Sequence, residues 1–306
     1  MFAVYFGQYL TEKGYITLRA YETVMKAMKS VRIKMGFLAV EAGYMTMEQA
    51  SWMNRLQAQI DMRFGDLAKE HGLLTEEQIQ ELLQKQGNPY LQFVQTLIER
   101  GIMDLDSIYL SLDEFAAEND FDSADMEALK SGELDRICPL FIRELSLPPN
   151  WQAYIGIVAR TALRLIDRDI KIEKAYRIDE YEAPYIARQD IEGDDIVATA
   201  FAGTQEGILG IARQYAQEEF QEVDEDALDA VCEFLNVCNG LYVSHESSTD
   251  KELELCVPQM YNETSDQGTV KVTADDLICI PMYLFAKRVD LLLSYSGNAQ
   301  FRVHTR

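Results

Sequence analysis

The sequence predicts an α+β protein in two parts, an all-helical repeat domain followed by a mainly antiparallel sheet flanked by helices. Three observations predict it. Glycines recur at a strict spacing of 29 residues through the first third of the chain. Pro148-Pro149 then marks a change of pattern, because a residue before proline is biased out of helix. Beyond them, alternating apolar runs with tight connections mix with helical periodicity, the signature of a sheet covered by helices. A length of 306 residues suits two domains at roughly 100–200 residues each.

The repeat is built on Gly14, Gly43, Gly72 and Gly101. Three positions after each stand Thr17, Thr46, Thr75 and Asp104, all good helix N-caps. Between glycine and cap lies an apolar pair: Tyr15-Ile16, Tyr44-Met45, Leu73-Leu74, Ile102-Met103. Seven positions before, Gly7, Gly36 and Gly65 recur, and Val94 takes the fourth place. Each unit therefore reads as a short helix, a glycine stop, an apolar staple and a second capped helix. One unit cannot bury its own apolar stripe, so the four stack, over residues 1–115.

Residues 116–149 read as an acidic linker, for which a solvated helix and a tether both fit. The second domain, 150–306, opens with an amphipathic helix at 151–167, where Ile155, Val158, Ala162, Leu163 and Ile166 recur at helical spacing. A strand follows at 170–178. Residues 195–202 and 207–212 are predicted to form a hairpin, then a short helix at 213–220 leads to a longer one at 224–246. Strands at 252–257, 269–273, 277–284 and 289–296 complete the sheet.

The net charge of −23 comes from 28 basic and 51 acidic residues and disfavours nucleic acid or an anionic membrane as partner. Residues 1–115 carry a net −4 and the remainder −19. No apolar run approaches the ~20 residues that span a bilayer, and the start lacks the basic and apolar regions of a signal peptide. Five cysteines without tight spacing suit reduced thiols, and three histidines make a Cys/His metal site improbable. The expectation is a cytoplasmic protein with no metal of its own.

The stretch from Asp224 to Glu246 is the most informative. Asp224 caps it, and Leu228, Val231, Cys232, Leu235 and Cys238 supply an apolar face. Glu233 and Asn236, three residues apart, share one side. Gly240 lies one turn beyond, where a missing side chain leaves room for another backbone; Gly240 and Asn239 are read as docking residues. The segment Glu233-Phe234-Leu235-Asn236-Val237-Cys238-Asn239-Gly240 is similar to the E-x-x-N-x-x-x-G helix of the CheC/CheX/FliY chemotaxis phosphatases. With its flanking strands, the resemblance covers roughly residues 150–297 and is nearest CheX, which carries one such helix. Family members commonly place an asparagine after the glycine, where this chain has Leu241.

The resemblance implies hydrolysis of the phospho-aspartate of a CheY-like response regulator. The regulator brings Mg2+ and a lysine to the phosphoryl group, so the phosphatase needs no cofactor of its own. Asn236 would hold the attacking water, and Glu233 would pair with that lysine. A homodimer is implied too. A second reading keeps the fold for dimerisation or partner binding alone, as a non-catalytic signalling adaptor.

In the repeats, Arg63-Phe64-Gly65…Ala68…Gly72-Leu73-Leu74…Ile79…Leu83…Gln86 resembles the motif of MshEN domains, amino-terminal modules of secretion and pilus ATPases. Lys34-Met35-Gly36…Ala39…Gly43-Tyr44-Met45…Asn54…Gln57 matches more loosely. Two such motifs clasp cyclic di-GMP in that family. The resemblance places Lys34, Gly36, Arg63 and Gly65 against that ligand; a plain helical hairpin explains the same residues without one.

Overall fold

The computed structural model describes residues 1–57, 62–194, 197–247, 251–262, 268–294 and 300–305. Two compact units, Met1–Glu133 and Leu134–Arg306, divide the chain. The first is built from α1 (Phe2–Glu12), α2 (Leu18–Met28), α3 (Met35–Glu41), α4 (Met47–Gln57), α5 (Phe64–Glu70), α6 (Glu76–Gln84), α7 (Pro89–Glu99), α8 (Leu105–Glu118) and α9 (Ser123–Ser131). The four repeat glycines follow α1, α3, α5 and α7, with φ of +76°, +71°, +70° and +63°. Each is the left-handed stop that ends a helix at little steric cost. The caps are also in place: Ala20 N donates to Thr17 Oγ1, and Ser107 N to Asp104 Oδ1. At Thr75 the reciprocal capping box with Gln78 forms.

Residues 116–149, expected as a linker, are largely helical, and the boundary between the units falls within them. The acidic residues serve as caps and outer faces. Asp122 and Asp125 make a capping box at the start of α9, whose Met126, Ala128 and Leu129 are buried. The Asn88 side chain, at the N-cap of α7, donates to Lys130 O at 3.1 Å.

The second unit begins with α10 (Leu134–Ile142), a short 3-10 turn (Arg143–Leu145) and α11 (Pro149–Leu165). Next come β1 (Lys171–Ile172), β2 (Tyr176–Ala183), β3 (Tyr185–Gly193) and β4 (Val197–Gly203). Helices α12 (Gln205–Ala216) and α13 (Glu225–Glu246) precede β5 (Leu253–Leu255), β6 (Gln259–Asn262), β7 (Gly268–Leu284), β8 (Lys287–Ser294) and β9 (Gln300–Thr305). All pairings among the described residues are antiparallel, in the order β1-β7-β8-β4-β3-β5, with β2 and β9 on β7 and β6 on β3.

A register shift between Ile178 and Glu180 of β2 interrupts its ladder with β7, and the first half of β7 packs against one face of β4. There Ala198, Ala200 and Ala202 pack with Val270, Val272 and Ala274 in a core of small residues. Helix α13 covers the opposite face, with the Phe234 ring stacked 5.5 Å from Phe201.

Two expectations change. Residues 207–212, expected as the second arm of a hairpin, lie inside α12, which buries Ile208, Leu209, Ile211 and Ala212 at helical spacing. Gly207 permits its close seat on the sheet, since a Cβ there would lie 2.4 Å from Arg288 O. Strands β3, β6 and β9 were not anticipated. The expected strand ends at 195–196 and 295–296 lie outside the described residues.

Candidate functional site

Helix α13 runs 22 residues from a working cap, in which Ala227 N donates to Asp224 Oδ1 at 2.9 Å. Its buried face comprises Leu228, Val231, Cys232, Leu235, Cys238 and Tyr242. Opposite them, Glu233 and Asn236 are both exposed and Gly240 is half-buried. A side chain at Gly240 would meet nothing nearer than Leu255 Cδ1 at 4.0 Å, so this part of the helix is open. Tyr215 stands near Glu233, and burial followed by the Glu233 charge raises its hydroxyl pKa.

Asn239 is not a docking residue. It is completely buried, and every polar atom of its amide is used. Tyr154 OH donates to Asn239 Oδ1 at 2.7 Å, while Asn239 Nδ2 donates to Gln189 Oε1 and Thr199 Oγ1, each at 2.9 Å. The reason lies in helical rotation: Asn239 falls in line with Leu235 and Tyr242 on the packed face, a signal the amphipathic pattern already contained. Burial holds the Tyr154 hydroxyl well above its ordinary pKa, which keeps it a donor.

Gln189 on β3 was missed altogether. It is 1% exposed and faces α13, and its Nε2 donates to Asn236 Oδ1 at 2.7 Å and to Cys256 O at 2.9 Å. Thr199, its cross-strand partner on β4, donates to Gln189 O at 2.6 Å. The exposed Asn236 is thus tied through Gln189 to a closed buried network. Cys232 and Cys238 are core thiols; burial pushes Cys232 up to about 12 and raises Cys238 further.

In the first unit, Lys34 and Arg63 are the N-cap residues of α3 and α5, one repeat apart. Both line a cleft of about 970 Å³ together with Asn54, Gln57, Gly65 and Gln86. Asp66 and Glu76 also reach it; Glu76 pairs with Lys69 at 2.6 Å, and Lys34 with Glu99 at 2.7 Å. Gly36 is buried and not among the lining residues. A Cβ on it would lie 3.1 Å from the Phe64 ring, and one on Gly65 3.3 Å from Ile79. Close helix packing therefore accounts for these two glycines.

Among the described residues, no helix is long and apolar enough to cross a membrane. Residues 185–282 match the family described as chemotaxis phosphatase CheX, a segment that contains β3, all of α13 and most of β7. The matched segment lies within the second unit. No curated protein matches the chain. Among solved structures it is similar to the chemotaxis protein CheX of Desulfovibrio desulfuricans, at 14% identity over 49% of this chain and all of that one, with a TM-score of 0.42. It is also similar to the CheX–CheY–BeF3–Mg2+ complex of Borrelia burgdorferi, at 12% identity over 47% of this chain and 96% of that one (TM-score 0.39). FliY of Thermotoga maritima matches at 14% identity over 47% and 85%, with a TM-score of 0.33.

Proposed function

We propose that the second unit is a phosphatase for the phospho-aspartate of a CheY-like response regulator, in chemotaxis or other two-component signalling. One observation carries this reading. Glu233 and Asn236 stand exposed, one turn apart, on the helix at the centre of the segment that matches a phosphatase family. An acyl phosphate already decays by attack of water, so an enzyme gains rate by holding the partner and orienting that water. An uncharged amide on an open helix face suits the second task, and a carboxylate beside it suits a lysine on the regulator. The regulator supplies Mg2+, which neutralises phosphoryl charge, so the phosphatase brings no cofactor. Gly240 leaves space for the partner's backbone, and the first unit serves as a sensory or docking module.

The test is loss of phosphate from each CheY-like regulator of the host, phosphorylated with acetyl phosphate. The protein is expected to speed decay of at least one, and Asn236→Ala to remove about 10²-fold or more of that gain with unchanged circular dichroism. Glu233→Ala is expected to raise KM as well. Unaltered decay with every regulator would leave the adaptor reading in its place.

A second reading concerns the first unit: a cleft for cyclic di-GMP. Its walls pair repeat-equivalent positions, Lys34 with Arg63 and Gln57 with Gln86, so it offers two similar half-sites to a ligand made of two identical halves. A guanidinium suits both roles there, as a fork for phosphate and a stacking face for a base. Calorimetry at micromolar protein and ligand is expected to show binding that Arg63→Ala weakens at least about tenfold, the loss of one charge-assisted contact. Absence of heat at those concentrations would remove this reading.

A further inference from the structure

We propose that Gln189 is a positioning residue, which fixes Asn236 with its amide N–H groups turned outward, so that Asn236 meets the reacting centre as a hydrogen-bond donor. The inference rests on the phosphatase reading and adds to it a second residue and a direction.

The orientation follows from groups that cannot reverse their roles. The main-chain carbonyl of Cys256 only accepts, so the Gln189 atom 2.9 Å from it is Nε2. That same Nε2 lies 2.7 Å from the Asn236 side chain, which must therefore present Oδ1 inward. The other end of Gln189 agrees. Its Oε1, which only accepts, receives Asn239 Nδ2, and the Asn239 oxygen that this leaves accepts from the Tyr154 hydroxyl. Thr199 closes the loop, with its hydroxyl proton on Gln189 O and its oxygen accepting from Asn239. Flipping either buried amide would set donor against donor or acceptor against acceptor. Asn236 Nδ2 faces away from this network and has no protein partner among the described residues.

An outward donor holds a water by its oxygen. One lone pair of that water accepts from Nδ2, leaving the other to point at phosphorus, and its two hydrogens remain free to bond elsewhere. An outward carbonyl would instead take a hydrogen of that water, so the two orientations of the amide hold it by opposite ends. Gln189, buried at 1% exposure, touches neither water nor regulator and acts only through Asn236.

The experiment uses the full chain and a host CheY-type regulator phosphorylated with acetyl phosphate. Gln189→Glu keeps the shape but, as a carboxylate, offers an acceptor where Nε2 donated; Gln189→Met removes all three side-chain bonds, to Asn236, Cys256 and Asn239. Each is expected to lower kcat by about 10²-fold, with KM for the regulator changed less than about threefold. In an Asn236→Ala background, Gln189→Met is expected to cause no further loss, because the two act as one unit. A parallel readout needs no catalysis. With selective 15N-asparagine labelling, the side-chain NH2 pair of Asn236, identified by its absence in Asn236→Ala, is expected to move in both Gln189 variants. Wild-type kcat in a folded Gln189 variant, or an equal further loss in the Asn236→Ala background, would overturn the proposal. If no regulator is turned over, the phosphatase reading falls, and an unmoved NH2 pair would then overturn the positioning role by itself. If Gln189→Glu does not fold, Gln189→Met decides.

Discussion

Asn236 and Asn239 sit three residues apart, about 300° of helix rotation, and that turn separates a solvent-facing amide from a buried one. Removing the first exposes no apolar surface, and Gln189 Nε2 keeps its second acceptor at Cys256 O. Removing the second takes an acceptor from the Tyr154 hydroxyl and a donor from both Gln189 Oε1 and Thr199 Oγ1. A buried polar group left without its partner costs about 1–3 kcal/mol. Urea denaturation of Asn239→Ala is therefore expected to show a loss of about 1–3 kcal/mol or more, with Asn236→Ala within about 0.5 kcal/mol of the parent. Equal midpoints for the two variants would contradict the burial assigned to Asn239. Glu233 and Asn236 were legible in the sequence because a helical period of 3.6 places them together on one face. Gln189 was not legible. It lies in the polar triplet Arg188-Gln189-Asp190, and its inward turn depends on a strand pairing with β4 and a helix 47 residues further on.

At the scale of elements, local chemistry decided which parts could be read. The repeat helices declare themselves through caps and left-handed glycines within a few residues of one another, and these all formed. Helix α12 did not declare itself: Gly207-Ile208-Leu209-Gly210-Ile211-Ala212 is apolar throughout and too short for its periodicity to separate strand from helix. What decides it is tertiary, the sheet face on which its apolar side is buried. The connection of β7 to β8 shows the reverse case, where the fold overrides local preference. Leu284 pairs with Lys287, so only Phe285 and Ala286 make the turn, with φ of +52° and +60°. Such two-residue hairpin turns favour glycine or asparagine, because a β-carbon is strained in the left-handed region. Asp167 Oδ2 helps hold the turn, accepting from Phe285 N at 2.6 Å. Ala286→Gly is expected to stabilise the protein by up to about 1 kcal/mol, net of the greater chain entropy of glycine. A lowered thermal midpoint in that variant would show that the turn is not strained as described.

On the scale of the whole molecule, the boundary at Glu133/Leu134 changes both the charge distribution and the piece that can stand alone. Residues 1–133 hold 12 basic and 21 acidic residues, a net −9, and residues 134–306 hold 16 and 30, a net −14. The acidity is shared, and the stretch read as a linker instead supplies core to both sides. Helix α10 belongs to the second unit: it packs on α11, and Ala175 N donates to Phe141 O at 2.8 Å. Its Ile137, Cys138, Leu140, Phe141 and Ile142 are all buried. Burying one aliphatic or aromatic side chain contributes about 1.5–3 kcal/mol, against a net stability of about 5–15 kcal/mol for a whole domain. Four such side chains lost together are comparable to everything the unit has in hand. A fragment of residues 134–306 is therefore expected to unfold in one cooperative urea transition and to keep the Asn236-dependent loss of regulator phosphate. A fragment of residues 150–306, cut where the prolines first suggested a boundary, is expected to lose that transition. Matching midpoints for the two fragments would mean that α10 contributes nothing to the core of the second unit, against the burial of its apolar face.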